Sequence, residues 1–157
     1  MRVQLLVVGR PGRLLHDAIA EYEARAARYW TLGVVEVKEE KARGGDAERV
    51  KRAEGERILQ QVADGMELVA LTRGGSAWSS TELAARLDRA AVEARPGVAF
   101  AIGGALGLSD DVLQRAVRQL QLSSFTLPHE LARLLLAEQL YRAGTISRGQ
   151  PYHKGAS

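Results

Sequence analysis

Three short loops carry the residues whose types and spacing could bind a ligand: TRGGSAW (72–78), GGALGLS (103–109) and SSFTLPHE (123–130). Their glycines let the backbone pass close to a ligand and expose its N–H and C=O groups. Their hydroxyls and loop carbonyls could satisfy the polar edge of a nucleobase or an amino acid. The simpler alternative for any one loop is a tight turn between a strand and a helix.

The third loop leads into a helix that is apolar almost all round, HELARLLLAEQLYRA. Pro128 suits its first turn, where a missing N–H costs nothing. His129 and Arg133 are four residues apart and share one helical face, although His129 could equally be a capping or packing histidine. Glu138 precedes Arg142 by four residues, which is the spacing of a helical ion pair. A helix this apolar predicts burial in a subunit interface.

Several familiar chemistries are disfavoured by spacing or composition. The loops match neither the dinucleotide fingerprint G-x-G-x-x-G nor the phosphate-binding loop with its lysine. The chain has no cysteine and no G-x-S-x-G elbow. Its three histidines, His16, His129 and His153, lack the spacing of metal ligands. A nicotinamide enzyme, a nucleotide triphosphatase, a serine hydrolase and a metal site are therefore not expected.

The composition is that of one globular domain spanning residues 1–157, with 46% apolar and 26% charged residues. No apolar run approaches the ~18–20 residues that a membrane span needs. The apolar run at the N-terminus is too short for a signal peptide, so a cytoplasmic location is expected. The formal net charge of +3 permits a polyanionic partner such as nucleic acid without demanding one.

The hydrophobic periodicity alternates between strand and helix along the chain. We predict strands at 3–8, 34–38, 67–72, 97–104 and 120–123, and helices at 13–29, 46–63, 79–94 and 109–119 before the helix that follows Pro128. Asp46 and Ser109 are candidate N-caps, and Ser79 with Glu82 has the spacing of a capping box. This order indicates an α/β domain with a mostly parallel sheet and helices on both faces. Ligands of such sheets bind beyond the carboxyl ends of the strands, where the three loops lie.

The C-terminal segment RGQPYHKGAS is short, basic and aromatic. Most such tails are frayed chain ends. Tyr152, His153 and Lys154 could instead stack on a nucleobase, form hydrogen bonds with it or approach a phosphate.

The blocks TLPHELARLLLAEQLYRA and PYHK, together with IGGALGLS and MRVQLLVVG, resemble the ribosomal RNA large subunit methyltransferase H family. This family is the small, single-domain branch of the SPOUT methyltransferases, and the resemblance covers essentially the whole chain. It implies an S-adenosylmethionine-dependent enzyme that methylates N3 of a pseudouridine in helix 69 of 23S rRNA on the assembled ribosome. It also implies a deep C-terminal trefoil knot and an obligate homodimer, with no metal and no membrane partner.

The resemblance further implies roles for individual residues. The catalytic residues would be His129, Arg133 and His153, with one of the histidines as proton acceptor and the arginine as a cationic partner. The cofactor pocket would be formed by Leu71, Thr72, Gly103, Gly104, Ser123, Ser124, Phe125, Thr126, Leu127 and Pro128. The substrate nucleoside would be bound by Arg142, Tyr152, His153 and Lys154, with the tail contributed by the second subunit.

Two other classes of function are compatible with the sequence. A ribosome-binding assembly factor with the same fold would associate with ribosomes without binding the cofactor. A flavodoxin-like binder of a small ligand would be a monomer or a weak dimer and would be indifferent to ribosomes.

Overall fold

The computed structural model describes residues 1–153, with side chains described for residues 1–152. Strands and helices alternate from the first strand to the last helix, as the sequence predicts. The strands are β1 (Arg2–Val8), β2 (Thr31–Val37), β3 (Glu67–Ala77), β4 (Gly97–Ile102) and β5 (Arg118–Gln121). The helices are α1 (His16–Ala26), α2 (Ala47–Gln61), α3 (Ser80–Val92), α4 (Asp110–Arg115) and α5 (His129–Ser147), followed by a short 3-10 helix (Pro151–His153).

The five strands form one parallel sheet in the order β2-β1-β4-β3-β5. Every residue of β4 is buried, because this central strand is covered on both faces of the sheet. Its sequence, GVAFAI, is accordingly a continuous run of glycine and apolar residues rather than an alternating one. The predicted α/β fold with a parallel sheet is confirmed.

Helices cover both faces of the sheet, as predicted. On one face α1, α3 and α5 enclose a core that includes Phe100, Leu87 and Leu140. On the other face α2 and α4 enclose a second core that includes Ile58 and Val112. No helix of residues 1–153 is both long enough and apolar enough to cross a membrane.

Two of the three predicted helix caps are present. Ser79 and Glu82 form the predicted capping box, in which each side chain accepts a hydrogen bond from the other residue's backbone N–H. Ser109 caps α4 by accepting the backbone N–H of Val112 at 3.3 Å. Asp46 precedes α2 but makes no capping hydrogen bond. Its carboxylate instead accepts from the side chain of Arg49 at 3.0 Å, so the prediction of a cap at this position was wrong.

Strand β3 is longer than predicted, because residues 73–77 belong to it rather than to a loop. The pairing of β3 with β5 changes register between Leu71 and Ser76, both of which lie opposite Leu120. A Cβ atom at Gly75 would lie 2.6 Å from the carbonyl carbon of Gln119, so only glycine allows this close approach. Strand β5 begins at Arg118, two residues earlier than predicted, because that residue pairs with Val69.

Helix α5 is covered by its own chain over much of its apolar surface. The indole N–H of Trp30, just after α1, donates to the carbonyl of Leu140 at 2.8 Å. A Cβ atom at Gly144 would lie 2.4 Å from the ring of Tyr29, which shows how closely α1 and α5 approach. Much of the cover that this apolar helix requires thus comes from α1 and α3 of the same chain, and burial of the remainder in a subunit interface stays a prediction. Only an outer stripe that includes the exposed Leu135 is left for another partner.

Candidate active site

The three segments singled out in the sequence converge at the carboxyl ends of β4 and β5 and at the register shift within β3. Together they line a cleft, here called the glycine cleft, formed by Leu71, Thr72, Arg73, Ile102, Gly103, Gly104, Gly107, Leu120, Gln121, Leu122, Ser123, Phe125, Leu127, His129 and Ala132. Of these side chains only Arg73 carries a permanent charge. The glycine cleft therefore offers apolar surface and main-chain polar groups rather than ion pairs.

Most of the cofactor-binding residues predicted from the resemblance line this cleft. Leu71, Thr72, Gly103, Gly104, Ser123, Phe125 and Leu127 are among its walls. Ser124, Thr126 and Pro128 are exposed residues of the same loop that do not line it. The carbonyl of Pro128 accepts the backbone N–H of Ala132 at 3.0 Å, so Pro128 starts α5 as expected.

The loop after β4 favours glycine at two of its positions, one because space is lacking and one because of its backbone conformation. A Cβ atom at Gly103 would lie 2.7 Å from the carbonyl carbon of Gly107, a separation that real Cβ atoms essentially never show. The backbone N–H of Gly107 donates to the carbonyl of Gly104 at 3.1 Å and closes the turn. Gly107 has φ = +88°, which favours glycine. This wall of the cleft is therefore built from main chain.

The loop after β5 is held by local hydrogen bonds. The hydroxyl of Ser123 accepts the backbone N–H of Phe125 at 2.9 Å, which fixes the turn before α5. The side-chain amide of Gln121 donates to the carbonyl of Arg73 at 2.9 Å and ties this loop to β3. The ring of Phe125 is 81% exposed, an unusual state for a large apolar side chain at the wall of a cleft.

His129 is the first residue of α5 and lies between two clefts. It lines the glycine cleft and also a second cleft, here called the charged cleft. The other residues of the charged cleft are Gly9, Arg10, Glu36, Val37, Lys38, Glu39, Glu40, Lys41, Ala42, Val50, Glu54, Ala105 and Leu106. No side-chain hydrogen bond of His129 to another residue within 1–153 occupies its ring nitrogens. The ring nitrogens of His129 are therefore available to a molecule bound in either cleft.

Arg133 lies elsewhere than the resemblance implies. Its guanidinium is buried and donates to Glu23 at 2.8 and 3.2 Å and to Glu36 at 2.6 Å. Burial lowers the pKa of Arg133, but the hydrogen bonds to the two carboxylates outweigh it and leave the pKa above its ordinary value. The side chain points towards α1 and β2 and lines neither cleft. It does not join His129 as a free cation.

Glu54 is a buried carboxylate that the sequence reasoning missed. It lies on α2 at the wall of the charged cleft, where one oxygen accepts the backbone N–H of Glu40 at 3.0 Å. Burial raises the pKa of Glu54, and the nearby Glu39 and Glu40 raise it further. The signal was present in the sequence, because Glu54 stands midway between Val50 and Ile58 on the buried stripe of α2.

The predicted substrate-binding residues lie at the other end of α5. Arg142 forms the predicted ion pair with Glu138, with 2.9 Å between Nε and Oε1. Its guanidinium lies 4.9 Å from the ring centroid of Tyr152, whose ring centroid is 4.5 Å from that of Tyr141. Burial raises the pKa of Tyr152, and the nearby Glu138 raises it further.

One chain does not bring these residues to His129. At 1.5 Å per residue, the helix places Arg142 about 20 Å from His129. The side chain of His153 and the whole of Lys154 lie outside the described residues, so their predicted roles are not addressed by the structure. Among the residues that the structure describes, no group of three or more His, Asp and Glu side chains is placed to hold a metal ion.

Residues 1–153 match the protein family described as predicted SPOUT methyltransferase. The chain is 52% identical to ribosomal RNA large subunit methyltransferase H of Gemmatimonas aurantiaca, over 98% of this chain and 100% of that one. It is 47% identical to the protein of the same name from Syntrophotalea carbinolica, over 98% and 99% of the two chains.

Solved structures share the fold at low sequence identity. A Bordetella pertussis Tohama I protein described as a probable methyltransferase aligns with a TM-score of 0.54 and 19% identity, over 90% of this chain and 95% of that one. A Legionella pneumophila protein described as a methyltransferase with the bound cofactor S-adenosylmethionine aligns with a TM-score of 0.50 and 13% identity, over 91% and 66% of the two chains. On the family match and the full-length relatives, the chain belongs to the SPOUT methyltransferase family.

Proposed function

We propose that this protein transfers a methyl group from S-adenosylmethionine to N3 of a pseudouridine in helix 69 of 23S rRNA, on assembled ribosomes in the cytoplasm. The observation that carries the proposal is the glycine cleft, in which the loops after three neighbouring strands meet beside His129. The close relatives named as ribosomal RNA large subunit methyltransferases support the rRNA substrate. The Legionella structure with bound S-adenosylmethionine supports the cofactor.

The glycine cleft fits such a cofactor in shape and chemistry. At Gly103 a Cβ atom would meet the facing backbone, so the loop presents N–H and C=O groups instead of side chains. Main-chain groups can hold the polar edge of an adenine, while Leu71, Leu122 and Leu127 supply apolar surface for its ring faces. The bound cofactor would supply an activated methyl group on a sulfonium, and the protein's main task is then to position the acceptor in line with it.

His129 is proposed as the proton acceptor. N3 of pseudouridine is a weakly acidic imide nitrogen, which attacks well only after it loses its proton. The imidazole of His129 lies at the boundary of the two clefts, and a neutral imidazole accepts a proton near physiological pH. His153 of a second subunit is the other candidate.

Arg133 is proposed as a positioning residue rather than as a cation that contacts the nucleoside. Its N–H donors are engaged by Glu23 and Glu36. These bonds tie the first turn of α5, and hence His129, to α1 and β2. Glu130 adds a further tie, because its carboxylate accepts the backbone N–H of Gly12 at 2.5 Å.

A homodimer with a knotted C-terminal region is part of the proposal. Arg142 and Tyr152 are about 20 Å from His129 along α5 of the same chain. A second copy packed antiparallel along the outer stripe of α5 would bring its own Arg142 and Tyr152 to the first chain's His129. The exposed Leu135 and Phe125 supply apolar surface for such a contact.

The decisive test is transfer of labelled methyl from S-adenosylmethionine to ribosomes that lack the modification, with protein-free rRNA in parallel. Label confined to intact ribosomes and to one helix 69 pseudouridine is expected. Label on free rRNA as well would support the enzymatic activity but contradict recognition of the assembled ribosome. No label on either substrate, from a protein that still binds ribosomes, would point to an assembly factor instead.

The shared site has its own test. His129→Ala and Arg142→Ala proteins are each expected to transfer methyl at least about 100-fold more slowly than wild type. When the two variants are unfolded together and refolded, mixed dimers contain one site with both residues intact. Activity should then return to about a quarter of wild type. If the mixture stays as inactive as either variant alone, each site is built from one chain.

A further inference from the structure

A second surface of the molecule, here called the arginine groove, lies along the outer side of α3. It is lined by Glu67, Val69, Trp78, Leu83, Arg86, Leu87, Arg89, Ala90, Glu93, Arg95, Val98, Phe100 and Arg118. These residues come from α3, from the segment just before it and from β3, β4, β5 and the turn before β4. None of them belongs to α5. The groove shares no residue with either cleft. It borders the outer stripe of α5 at one side, because Trp78 and Leu83 also line a small cavity with Leu135.

The charges in the arginine groove are unbalanced. Its two carboxylates, Glu67 and Glu93, both accept hydrogen bonds from Arg95. Arg86, Arg89 and Arg118 have no carboxylate within 4.0 Å among residues 1–153. Three positive charges thus lie on one surface without a carboxylate partner in the described chain. They repel one another, and a bound anion would offset that repulsion.

One of these arginines is held in place without using its hydrogen-bond donors. The guanidinium carbon of Arg86 lies 4.3 Å from the ring centroid of Trp78. No side-chain hydrogen bond within the described chain uses the donors of Arg86, Arg89 or Arg118. A guanidinium held by an aromatic face keeps its N–H fork free, and this fork matches the oxygens of a phosphate.

We propose that the arginine groove binds the phosphodiester backbone of ribosomal RNA at a distance from the methylated nucleoside. This inference rests on the proposed function, because it assumes an rRNA substrate. Surplus arginines match the density of negative charge on an RNA backbone, which supplies affinity and orientation rather than base specificity. The phosphates bound here would fix the register in which the target nucleoside reaches the glycine cleft.

The position of the groove supports a contact remote from the reaction. Glu67 and Arg118 begin strands β3 and β5, whereas the glycine cleft is lined by Leu71 in the middle of β3 and by Gln121 at the carboxyl end of β5. From Glu67 to Leu71 the strand rises about 13 Å. The charged cleft beside His129, by contrast, contains four glutamates with its three cations, so it has no comparable surplus of positive charge.

The test measures how ribosome binding depends on salt. Arg86→Gln, Arg89→Gln and Arg118→Gln are each expected to flatten the slope of log affinity against log salt by about one unit. The triple variant should bind unmodified ribosomes at least about 10-fold more weakly near physiological salt. Arg86→Lys should recover most of the slope, because a charge alone counts in this measurement. Cofactor binding, measured directly by calorimetry, serves as the check that each variant is folded.

Arg52→Gln is the matched control. Arg52 is an exposed arginine of α2, on the opposite face of the sheet, and it too has no carboxylate partner within residues 1–153. Its substitution should leave the slope unchanged. An equal flattening by Arg52→Gln would show a general effect of net charge and overturn the proposal. Unchanged slopes for the groove variants would overturn it as well, even if the wild-type protein methylates rRNA.

A photocrosslinking residue at Ala85, exposed on α3 next to Arg86 and Arg89, distinguishes RNA from protein. A crosslink to the ribosome that is released by ribonuclease is the expected result. A crosslink released only by protease would identify a ribosomal protein as the partner and overturn the RNA assignment. Because this experiment needs no methyl transfer, it separates failure of the groove from failure of the proposed enzymatic function.

Discussion

His129 is the first residue of α5, lines two clefts and has no hydrogen-bonded side-chain partner within the described chain. Arg142, near the last turns of the same helix, is instead bonded to Glu138 and stacked on Tyr152. The first end meets the loops of three strands. The second end packs Tyr152 on Tyr141 and places Arg142 over the Tyr152 ring. The two ends of one helix thus differ in structure. The first borders two clefts, and the second packs into an ordered cluster of aromatic and charged side chains.

This difference explains why the predicted site residues do not meet within one chain. The groups expected to bind the nucleoside are pre-formed as an ordered cluster at the second end. The open histidine and the glycine cleft are at the first end, about 20 Å away. A second copy of the chain is the simplest way to place an ordered surface opposite an open cleft.

The largest expected effect on stability concerns the ion pairs that hold the first end of α5. Arg133→Met leaves Glu23 and Glu36 beside each other without their cation, in a partly buried site. We expect this change to lower the free energy of unfolding by about 3–5 kcal/mol, measured by urea denaturation at fixed protein concentration. Arg25→Met breaks the surface pair with Glu21 and the cation–π contacts with Tyr22 and Tyr141, and should lower the free energy of unfolding much less. Similar losses of unfolding free energy in both variants would mean that the ion pairs of Arg133 do not specially stabilise the first end of α5.

A smaller effect is expected where α1 and α5 touch near the second end. Gly144→Ala adds a Cβ atom that would lie 2.4 Å from the ring of Tyr29, so the helices must separate. The expected loss is about 1–3 kcal/mol in the same denaturation experiment. Gly33→Ala, at an open position of β2 with nothing within 4 Å, is the control and should not destabilise the protein. A neutral Gly144→Ala variant would contradict the tight packing described at this end.

Next in size is a pH-dependent effect beside His129. Burial raises the pKa of Glu54, so its contribution to stability is full at low pH, where it is protonated, and declines as the pH rises through its folded-state pKa. Glu54→Gln keeps an oxygen to accept the Glu40 N–H but cannot ionise. The variant should gain on the order of 1 kcal/mol or less over wild type at pH 8, with no gain near pH 4. Thermal melts of both proteins across this pH range measure the gain in stability. A gain that is independent of pH would argue against a buried charge at Glu54.

The smallest effect on stability is expected for the aromatic cluster of the tail. Tyr152→Leu keeps an apolar group against Tyr141 but removes the ring under Arg142. The free energy of unfolding should fall by no more than about 1 kcal/mol, whereas methyl transfer should fall far more if the ring contacts the nucleoside. Tyr29→Phe is the control for the rate of methyl transfer. It removes the hydroxyl that donates to Gln150 but leaves the contact between Arg142 and Tyr152 unchanged. Equal reductions in methyl transfer in both variants would indicate that Tyr152 has only a structural role.

The sequence predicted those features that are local in the chain. The capping box at Ser79 and Glu82 and the ion pair of Glu138 with Arg142 depend on spacings of three and four residues, and both are present. The parallel sheet followed from the alternation of buried strands and helices. The convergence of three loops followed from the sheet, because the carboxyl ends of parallel strands share one edge.

The features that were missed depend on residues far apart in the chain. Arg133 is bonded to Glu23 and Glu36, which are 110 and 97 residues away, and no spacing rule reaches that far. The extension of β3 through residues 73–77 has little apolar alternation, and it is a strand only because β5 pairs with it. Long-range pairing overrides local propensity in both cases.

The absence of side chains at Gly103 and Gly107 has a consequence for inhibition. An inhibitor that contacted the wall formed by the loop after β4 would meet peptide groups there rather than side chains. Substitution at Gly103 would bring the new side chain against the facing backbone and damage the cleft itself. Resistance would therefore have to come from the other walls, such as Leu71 and Leu122, or from the exposed Phe125.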